Sequence, residues 1–548
     1  MNRMNIEQQP LPSSQPLAEA MIHNYSKVEH FYEYDLTRRE EWSRRMEWLK
    51  QSDDKRVDRI KLAQVLKDFN KEHNPHEAVM ASIDLLEQEG TAVIVGGQQS
   101  GLLTGPLFVI YKALSIIKAA KEAQEKLSHP VVPVFWIAGE DHDWDEVDHT
   151  YLLSADQQIK RIRIAKRSEQ RTPVSQVKVM QEDWEQIAEE LDTLLQNTEF
   201  KSGLLDVYRT LASQSHTLTE CFAKLIGTLF GRFGLIVMDS ADPHLRQLEV
   251  PVFEGIIKQN DELEQAYLRA GKELAAGGFS LQADVHEGGA NLFYVHEGER
   301  KLLFKQNGVF TDRKGTCSFS ADELLAELHA HPERFSNNVL TRPLMQDSVL
   351  PVLGTVLGAG EIAYWALTGK AFQTFGIQMP ILVPRESFTM IDGAVQRNME
   401  KYGLEWNDVN NKDSLSDKRE AWLKEQDHLH LEERFAEIKS SFEAMYNPLI
   451  EQLGTVQAGL IKLGGANRDK IMEQIEYLRN KAVDALAKSN DSGIRHFERI
   501  EQSVIPMGRL QERTYNAFYY LNRYGWSWID ELAGIPYDVT GTHRILYM

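Results

Sequence analysis

Short apolar runs, each followed by a polar turn and a helix-length spacer, recur along the first 390 residues. The four runs are TAVIV (91–95), VVPVFWIAG (131–139), GLIVMDS (234–240) and MPILVPRES (379–387). Unbroken runs of this kind are typical of strands that are buried on both faces of a parallel sheet. The spacers predict βαβ units, and such sheets bind ligands at the carboxyl ends of their strands. The pattern therefore predicts an α/β core with its site at the polar turns.

One further apolar run, residues 349–367, is long and nearly uncharged. Pro351 and Glu361 lie inside it, and both disfavour a helix that crosses a membrane. We therefore expect a buried segment of the core, and a protein without a membrane partner.

The segment of about 270–335 is expected to be an insertion in this core. Residues 291–312 alternate in polarity and turn at HEGER and QNG, as antiparallel hairpins do. Ser320 and Glu323 frame the sequence SADE, a capping box that predicts the start of a helix.

A heptad pattern dominates the charged stretch of about 415–503. Its apolar positions are Leu431, Phe435, Ile438, Phe442, Met445 and Leu449, and then Ile471, Ile475, Leu478, Ala482 and Ala485. We predict an antiparallel helical hairpin that turns at Gly464–Gly465. Arms of ~35 residues would reach roughly 50 Å, too far to be buried in one globule, so a structural or dimerisation role follows. The expected domains are a core over 1–390, a coiled coil over 391–503, and a segment over 504–548 that returns to the core.

The charge balance limits the class of partner. The 548 residues include 61 basic and 81 acidic side chains, for a net charge of −20, which disfavours binding to nucleic acid or to an anionic membrane. The first 15 residues contain no apolar signal segment, and the two cysteines, Cys221 and Cys317, form no CxxC pair. We expect a reduced, cytoplasmic protein.

The glycine-rich turn after the first apolar run is a candidate ligand site. Its candidate residues are Gly97, Gln98, Gln99, Gly101 and Thr104. Glycine lets backbone amides approach a ligand closely, and we expect Thr104 to cap a helix that begins near Pro106. The alternative is a tight turn that needs glycine only for packing.

The densest polar cluster, GEDHDWDEVDH (139–149), follows the second apolar run. We predict His142 as the general base and Asp141 as the group that orients it, with Glu140 and His149 as substrate contacts. Asp239, after the third run, is predicted to contact a ribose or an amine, with a helix N-cap at Ser240 or Asp242 as the alternative. A metal is an alternative, although the spacing matches no standard zinc pattern, and a solvated acidic helix start is another.

Other polar residues stand among apolar neighbours further along the chain. Arg342, Gln346, Asp347 and Glu361 are candidate substrate contacts, with an internal salt bridge as the alternative for Arg342. Arg385 in VPRES and Arg509 and Arg513 in GRLQER are candidate phosphate contacts. A role as ordinary surface arginines is the alternative.

Long strings in this chain resemble the bacillithiol-forming cysteine ligase family, often called BshC. They are GGQQSGLLTGPLFVIYKA, PVFWIAGEDHDWDEVDH, GLIVMDSADPHLR, RPLMQDSVLP with GAGEIAYWA, and GRLQER. The resemblance covers nearly the whole chain in order. It implies a Rossmann-like core similar to class I synthetases and pantothenate synthetase, with connecting-peptide insertions and a coiled coil that forms a homodimer.

The resemblance also implies a reaction and its cofactors. The family joins cysteine to glucosaminyl malate in the last step of bacillithiol synthesis, and it has a nucleotide pocket apart from the strand-end site. We therefore expect ATP or ADP, with Mg²⁺ as an option, near Pro384, Arg385, Glu386, Arg509 and Arg513.

The chain departs from the wider superfamily in one place. QQSG stands where a His-x-Gly-His signature would contact ATP, and no Lys-Met-Ser-Lys-Ser string occurs. The turn therefore suits a substrate carboxylate or sugar. The alternative function is a nucleotide-responsive coiled-coil scaffold without ligase activity.

Overall fold

The structure is a computed structural model that describes residues 5–9, 15–166 and 169–548. The first 15 residues, where no signal segment is predicted, lie partly outside the described residues. The chain divides into a core unit, Ile6–Thr389 with Glu512–Ile545, and a helical unit, Met390–Gln511 with a few residues of both chain ends.

A five-stranded parallel sheet forms the centre of the core unit. Its strands are β1 (Ala92–Gln98), β2 (Val131–Ile137), β3 (Ile236–Asp239), β4 (Val352–Leu357) and β5 (Ile381–Pro384). Four of them lie in the four predicted runs, whereas β4 lies in the apolar run that was expected only to be buried. The sheet order is β5-β4-β1-β2-β3, which is the order of a Rossmann-like fold, so the predicted fold class is confirmed.

This strand order places the site. The chain leaves β1 towards β2 on one side and leaves β4 towards β5 on the other, so the order reverses between β1 and β4. Open α/β sheets bind ligands beyond the carboxyl ends of the strands at such a reversal. The turns that begin at Gln99 and Gly358 meet there.

The turn after β1 folds differently from the prediction at its end. Leu103 and Thr104 have positive φ angles of 54° and 78°, and helix α1 (Leu107–Leu127) is preceded by Pro106 without a side-chain cap. The prediction that Thr104 caps this helix is therefore wrong. Its hydroxyl is buried without a hydrogen-bond partner among the described residues. Gly101 is required, because a Cβ there would lie 2.8 Å from Cα of Gly105.

The predicted hairpins form an antiparallel sheet in the insertion. Its five strands, in spatial order, are Ser318–Ser320, Val309–Asp312, Glu299–Gln306, Gly289–His296 and Phe335–Asn337. The turns fall at Glu297–Gly298 and Asn307–Gly308, and all four residues have positive φ angles, which glycine and asparagine adopt more readily than Glu297 does. Ser320 caps helix Ala321–Ala330 with the predicted capping box.

The core unit contains further helices besides α1 and Ala321–Ala330. Their ranges are Pro16–His23, Arg39–Gln51, Arg59–His73, Glu77–Leu86, Trp144–Val147, Gln181–Leu194, Lys201–Ser213, Leu218–Phe230, Pro243–Lys258, Asn260–Ala276, Arg342–Val349, Ala359–Trp365, Gly369–Thr374, Ala517–Tyr524 and Ser527–Gly534. The remaining strands are Asn5–Gln9, His149–Leu153, Ile159–Arg163, Ser387–Ile391 and His543–Tyr547. In the part of the chain that the structure describes, none of the helices combines the length and the apolar character needed to cross a membrane.

The helical unit contains the heptad segment. Its helices are Gly393–Lys401, Trp406–Val409, Lys412–Glu425, α2 (Leu431–Val456), α3 (Gly459–Ser489) and Asp491–Val504. The turn between α2 and α3 lies at Gln457–Ala458, so the predicted turn at Gly464–Gly465 is wrong. Gly464 lies inside α3, where a Cβ would lie 2.9 Å from Cγ1 of Ile450, so close packing of the helices explains this glycine.

The packed pairs run in opposite directions along α2 and α3. Gly454 lies beside Ile461 near the turn, and Tyr446 donates to Asn467 at 2.7 Å further along. At the far end, Arg479 reaches Glu432 at 3.3 Å. The arms contain 26 and 31 residues, shorter than the predicted 35.

Candidate functional site

A cavity of about 1170 Å³ lies in the core unit at the carboxyl edge of β1, β2 and β4. One wall comes from the strand-end turns and includes Gly97, Gln98, Gln99, Glu140, Asp141, His142, Arg342 and Glu361. The opposite wall comes from the insertion and includes Phe293, Arg300, Arg313, Lys314 and Asn337. The insertion therefore closes the site that the parallel sheet opens.

Two strand-end turns are joined by a hydrogen bond across the cavity floor. Gln99, after β1, donates from Nε2 to Oδ2 of Asp141, after β2, at 2.5 Å. The other oxygen of Asp141 accepts the backbone N–H of His142 at 2.7 Å. Burial raises the pKa of Asp141, but the Gln99 bond and the Arg300 charge outweigh it and hold this pKa below its ordinary value. Asp141 is thus an ionised anchor that fixes the turn.

Lys112, which the sequence analysis missed, is a buried residue bonded to three residues of the cavity lining. It lies on the buried face of α1, and its ammonium group donates to the carbonyl of Gly97, to Oε1 of Gln98 and to Glu361 at 2.6 Å. Burial lowers the pKa of Lys112, and Glu361 opposes that shift. A lysine in VIYKALSII, where seven of its eight neighbours are apolar, was the available signal, since such a group must find partners.

Arg342 and Glu361, both candidate substrate contacts, lie close together where the strand order reverses between β1 and β4. Arg342 donates to the hydroxyl of Tyr364 at 2.7 Å and lies 3.7 Å from Glu361. A Cβ on Gly97 would lie 2.9 Å from Nη1 of Arg342, so this glycine makes room for the guanidinium group. Burial alone would raise the pKa of Glu361, yet Lys112 and Arg342 hold it below its ordinary value.

His142 contacts the insertion through Arg300, which the sequence analysis also missed. Nη1 of Arg300 lies 3.0 Å from Nδ1 of His142, and its guanidinium carbon lies 3.8 Å from the ring centre of Phe293. A guanidinium group can only donate, so Nδ1 accepts and the neutral ring carries its proton on Nε2. Burial first, and then the Arg300 charge, lower the pKa of His142.

Asp239 lies at the end of β3, outside the cavity lining. It accepts the backbone N–H of Gly139 at 3.1 Å and that of Ala241 at 3.1 Å. Burial raises its pKa to about 7. Asp239 therefore holds the turn after β2 against the end of β3.

Several other predicted substrate contacts also lie outside the lining. Gly101 and Thr104 are buried in the turn before α1. His149 pairs with the buried Asp148 at 2.9 Å. Gln346 donates to Thr355 at 3.3 Å.

Asp347 belongs to a buried ion pair within the core. Its carboxylate is bound by Arg45 and by Arg56, the latter at 3.4 Å, and its side chain is 1% exposed. Removing one partner of such a group is costly, which gives Asp347 a structural reason to be present.

The predicted nucleotide residues are divided between the two units. Arg385 binds Glu512 at 2.6 Å, and the guanidinium groups of Arg385 and Arg513 lie 5.5 Å and 6.0 Å from the ring centre of Phe108. The carboxylate of Glu386 pairs with Lys118 at 3.0 Å and with Arg544. Pro384 ends β5, and Arg509 is an exposed residue of the helical unit.

Within the ranges that the structure describes, no group of three or more His, Cys, Asp or Glu side chains is arranged to hold a metal ion. The Mg²⁺ expectation stays a prediction.

Comparison with known proteins identifies the family. Residues 4–386 match the model of the Bacillithiol biosynthesis BshC, N-terminal Rossmann-like domain, and residues 388–548 match that of the C-terminal coiled-coil domain. A solved structure described as that of a "putative arginyl t-RNA synthetase" from Campylobacter jejuni is 12% identical and covers 83% of this chain and 98% of its own. Its TM-score of 0.19 is too low to show a shared fold.

Curated relatives agree along the full length. The "Putative cysteine ligase BshC" of Geobacillus thermodenitrificans (strain NG80-2) is 36% identical over 551 residues, which cover 100% of both chains. The protein with the same name from Bacillus cereus (strain Q1) is 34% identical over 545 residues, which cover 99% of this chain and 100% of its own. Two family models that together span nearly all residues, and relatives of this identity, show that this chain belongs to the BshC family of bacillithiol biosynthesis.

Proposed function

We propose that this protein is a ligase that joins the carboxyl group of cysteine to the amine of glucosaminyl malate, the last step of bacillithiol synthesis. Family membership and the names of the relatives support the reaction. The observation that carries it is the pairing of charges in one cavity. Arg342 suits a carboxylate, while Asp141 and Glu361 suit an ammonium group.

Amide formation from these substrates needs activation. A free carboxylate and an ammonium group do not condense in water, so the cysteine carboxyl must first be activated and the amine must lose a proton. ATP would supply that activation. Arg513 supports a nucleotide near Phe108 because its side chain is exposed and cationic, whereas Arg385 is already bound to Glu512.

His142 has a role that follows from its tautomer. The sequence predicts a base, but the Arg300 contact occupies Nδ1 and leaves Nε2 as a donor. A neutral imidazole that donates can stabilise the oxygen that gains negative charge when the amine attacks the activated carboxyl. We therefore assign His142 to oxyanion stabilisation, with Arg300 as its positioning residue.

The assembly and compartment are part of the proposal. Four predicted heptad side chains are solvent-exposed in the single chain: Ile438 (50%), Met445 (71%), Leu449 (46%) and Leu478 (60%). A second copy would cover such a face, which supports a homodimer through the coiled coil. Two buried cysteine thiols and the net charge of −20 support a cytoplasmic protein that binds no nucleic acid.

A single reaction mixture tests the function. Purified protein, cysteine, glucosaminyl malate and ATP should yield the amide, which mass spectrometry detects as the sum of the two substrates minus water. The nucleotide product, ADP or AMP, is read from the same sample. A mixture without ATP is the control.

The same mixture, together with a measurement of the oligomeric state, tests the alternative function as a coiled-coil scaffold. That alternative is favoured by the same exposed heptad side chains, which would then dock another protein. Absence of the amide under all nucleotide conditions, together with a monomer by light scattering, would replace the ligase proposal with the scaffold.

A further inference from the structure

Asn337 has an unsatisfied side chain in the insertion wall of the cavity. It ends the edge strand Phe335–Asn337, and its backbone carbonyl accepts a hydrogen bond from Arg300 at 2.6 Å. The residue is 2% exposed, and neither Nδ2 nor Oδ1 has a hydrogen-bond partner among the described residues. A buried amide without partners costs free energy unless something in the cavity binds it.

Basic side chains surround the same wall. Arg171, Arg313 and Lys314 line the cavity, and in the described part of the chain no ion pair engages them. Three of the acids that line the cavity near them have other partners: Glu169 lies 3.0 Å from Lys166, Glu299 lies 3.8 Å from Lys301, and Asp312 accepts backbone N–H groups. Arg171, Arg313 and Lys314 are therefore cations that remain available to an anionic ligand in a protein whose net charge is −20.

The loop that presents Arg313 and Lys314 is held in shape. It joins two strands of the insertion sheet, and the carboxylate of Asp312 accepts the backbone N–H groups of Thr316 at 2.6 Å and Cys317 at 3.2 Å. Burial raises the pKa of Asp312, but these backbone bonds outweigh it and keep the carboxylate ionised. The backbone that carries Arg313 and Lys314 is thus held in place, and both exposed side chains line the cavity.

We propose that Asn337, Arg313 and Lys314 form a subsite for the malyl dicarboxylate and adjoining sugar of glucosaminyl malate, so that the insertion selects this substrate. The inference rests on the proposed function, which places that molecule in this cavity. The cations bind the two carboxylates, and Asn337 binds the sugar beside them. Cysteine is then left to the opposite wall, at Arg342.

The chemistry of Asn337 separates this ligand from nucleotide phosphates. Its Nδ2 needs an acceptor and its Oδ1 needs a donor. An ionised phosphate supplies acceptors only, so Oδ1 would stay unsatisfied. A sugar next to a carboxylate supplies hydroxyl donors and acceptors together, and it satisfies both atoms.

Calorimetric titration of the full-length protein with L-malate and with glucosaminyl malate tests the subsite without turnover. In R313Q/K314Q, binding of both ligands should weaken by about tenfold or more, as the loss of a charge-assisted contact implies. In N337L, binding of glucosaminyl malate should weaken by about tenfold while that of L-malate, which has no sugar, should change little. Lys305→Gln, in the same sheet but outside the cavity lining, is the matched control.

Each outcome decides between the two proposals. Wild-type binding that depends on these residues, without amide formation, would keep the subsite and remove the ligase. Amide formation with unchanged glucosaminyl malate affinity in both variants would keep the ligase and overturn the subsite. If ATP binding weakens instead, the wall binds phosphates and the inference falls. If N337L lowers the melting temperature, Asn337→Ser repeats the measurement with a smaller polar group.

Discussion

The guanidinium group of Arg300, on a strand of the insertion, lies 3.0 Å from Nδ1 of His142, in the turn after β2. Since arginine only donates, this contact fixes the neutral tautomer with the proton on Nε2. A second sheet, remote in sequence, thereby sets the chemical form of a residue at the edge of the parallel sheet.

The pH dependence of the reaction should reflect this contact. In the proposed role of His142 the neutral ring is the working form. Its pKa is lowered below the ordinary value near 6.5, so activity should be lost only as the pH falls through that lower pKa. Arg300→Met removes the positive charge and should move the acidic limb of the rate profile to higher pH. The measurement is kcat against pH for both proteins.

The role of His142 can be separated from that of a base by substitution. His142→Gln keeps an N–H donor near the position of Nε2 and should retain part of the rate. His142→Ala should lose about 10²–10³-fold in kcat, as the loss of an oxyanion donor does. Equal losses in the two variants, with unchanged melting temperatures, would argue for a base instead.

Gly97 should contribute to the binding of cysteine. The methyl group of Gly97→Ala would lie 2.9 Å from Nη1 of Arg342 and would displace the guanidinium group. We expect the KM for cysteine to rise roughly tenfold, as a lost charge-assisted contact implies, with little change in melting temperature. Gly360→Ala, where a Cβ meets nothing within 4 Å, is the control. Similar kinetics in both variants would separate Arg342 from cysteine binding.

The coiled coil should hold the dimer. Ile438 and Phe442 lie on one face of α2, and Ile438 is half exposed in the single chain. Their replacement by Asp should give monomers by light scattering, because two charges would be buried at the interface. Aspartates at the exposed Ser440 and Ser441 should leave the dimer intact. A dimer of unchanged stability in the first variant would place the interface elsewhere.

Arg385 and Arg513 should respond differently to truncation. Arg385→Ala leaves the buried carboxylate of Glu512 without its ion pair and should lower the free energy of unfolding by about 3 kcal/mol in urea titrations. Arg513→Ala, which is exposed, should leave stability unchanged and weaken ATP binding about tenfold in calorimetry. Unchanged ATP affinity in Arg513→Ala would remove this arginine from the nucleotide site.

Local patterns in the sequence were sufficient for much of the fold. The runs at 91–95 and 131–139 predicted parallel strands because both faces of such strands are buried. SADE predicted a helix start because the capping box is satisfied within four residues. The heptads predicted two arms that pack together, although the turn between them was misplaced, since Gly464 is explained by contact with the other helix.

Local patterns could not predict which distant residues the tertiary structure brings together. The sequence placed Gln99, Asp141 and His142 at strand ends, and the structure finds all three in one cavity. In the sequence, Lys112 is an unexplained charge on an apolar helix. The structure places Glu361, 249 positions away, beside its ammonium group. Arg300 lies 158 positions from His142, and Asn337 becomes a candidate site residue only because its amide is buried and unpaired.

The sequence by itself determined which elements form and which edge of the sheet holds polar groups, because these depend on periodicity and local hydrogen bonds. Only the packing of the insertion against that edge decided the protonation of His142 and the second wall of the site, because contacts between distant segments leave no local pattern.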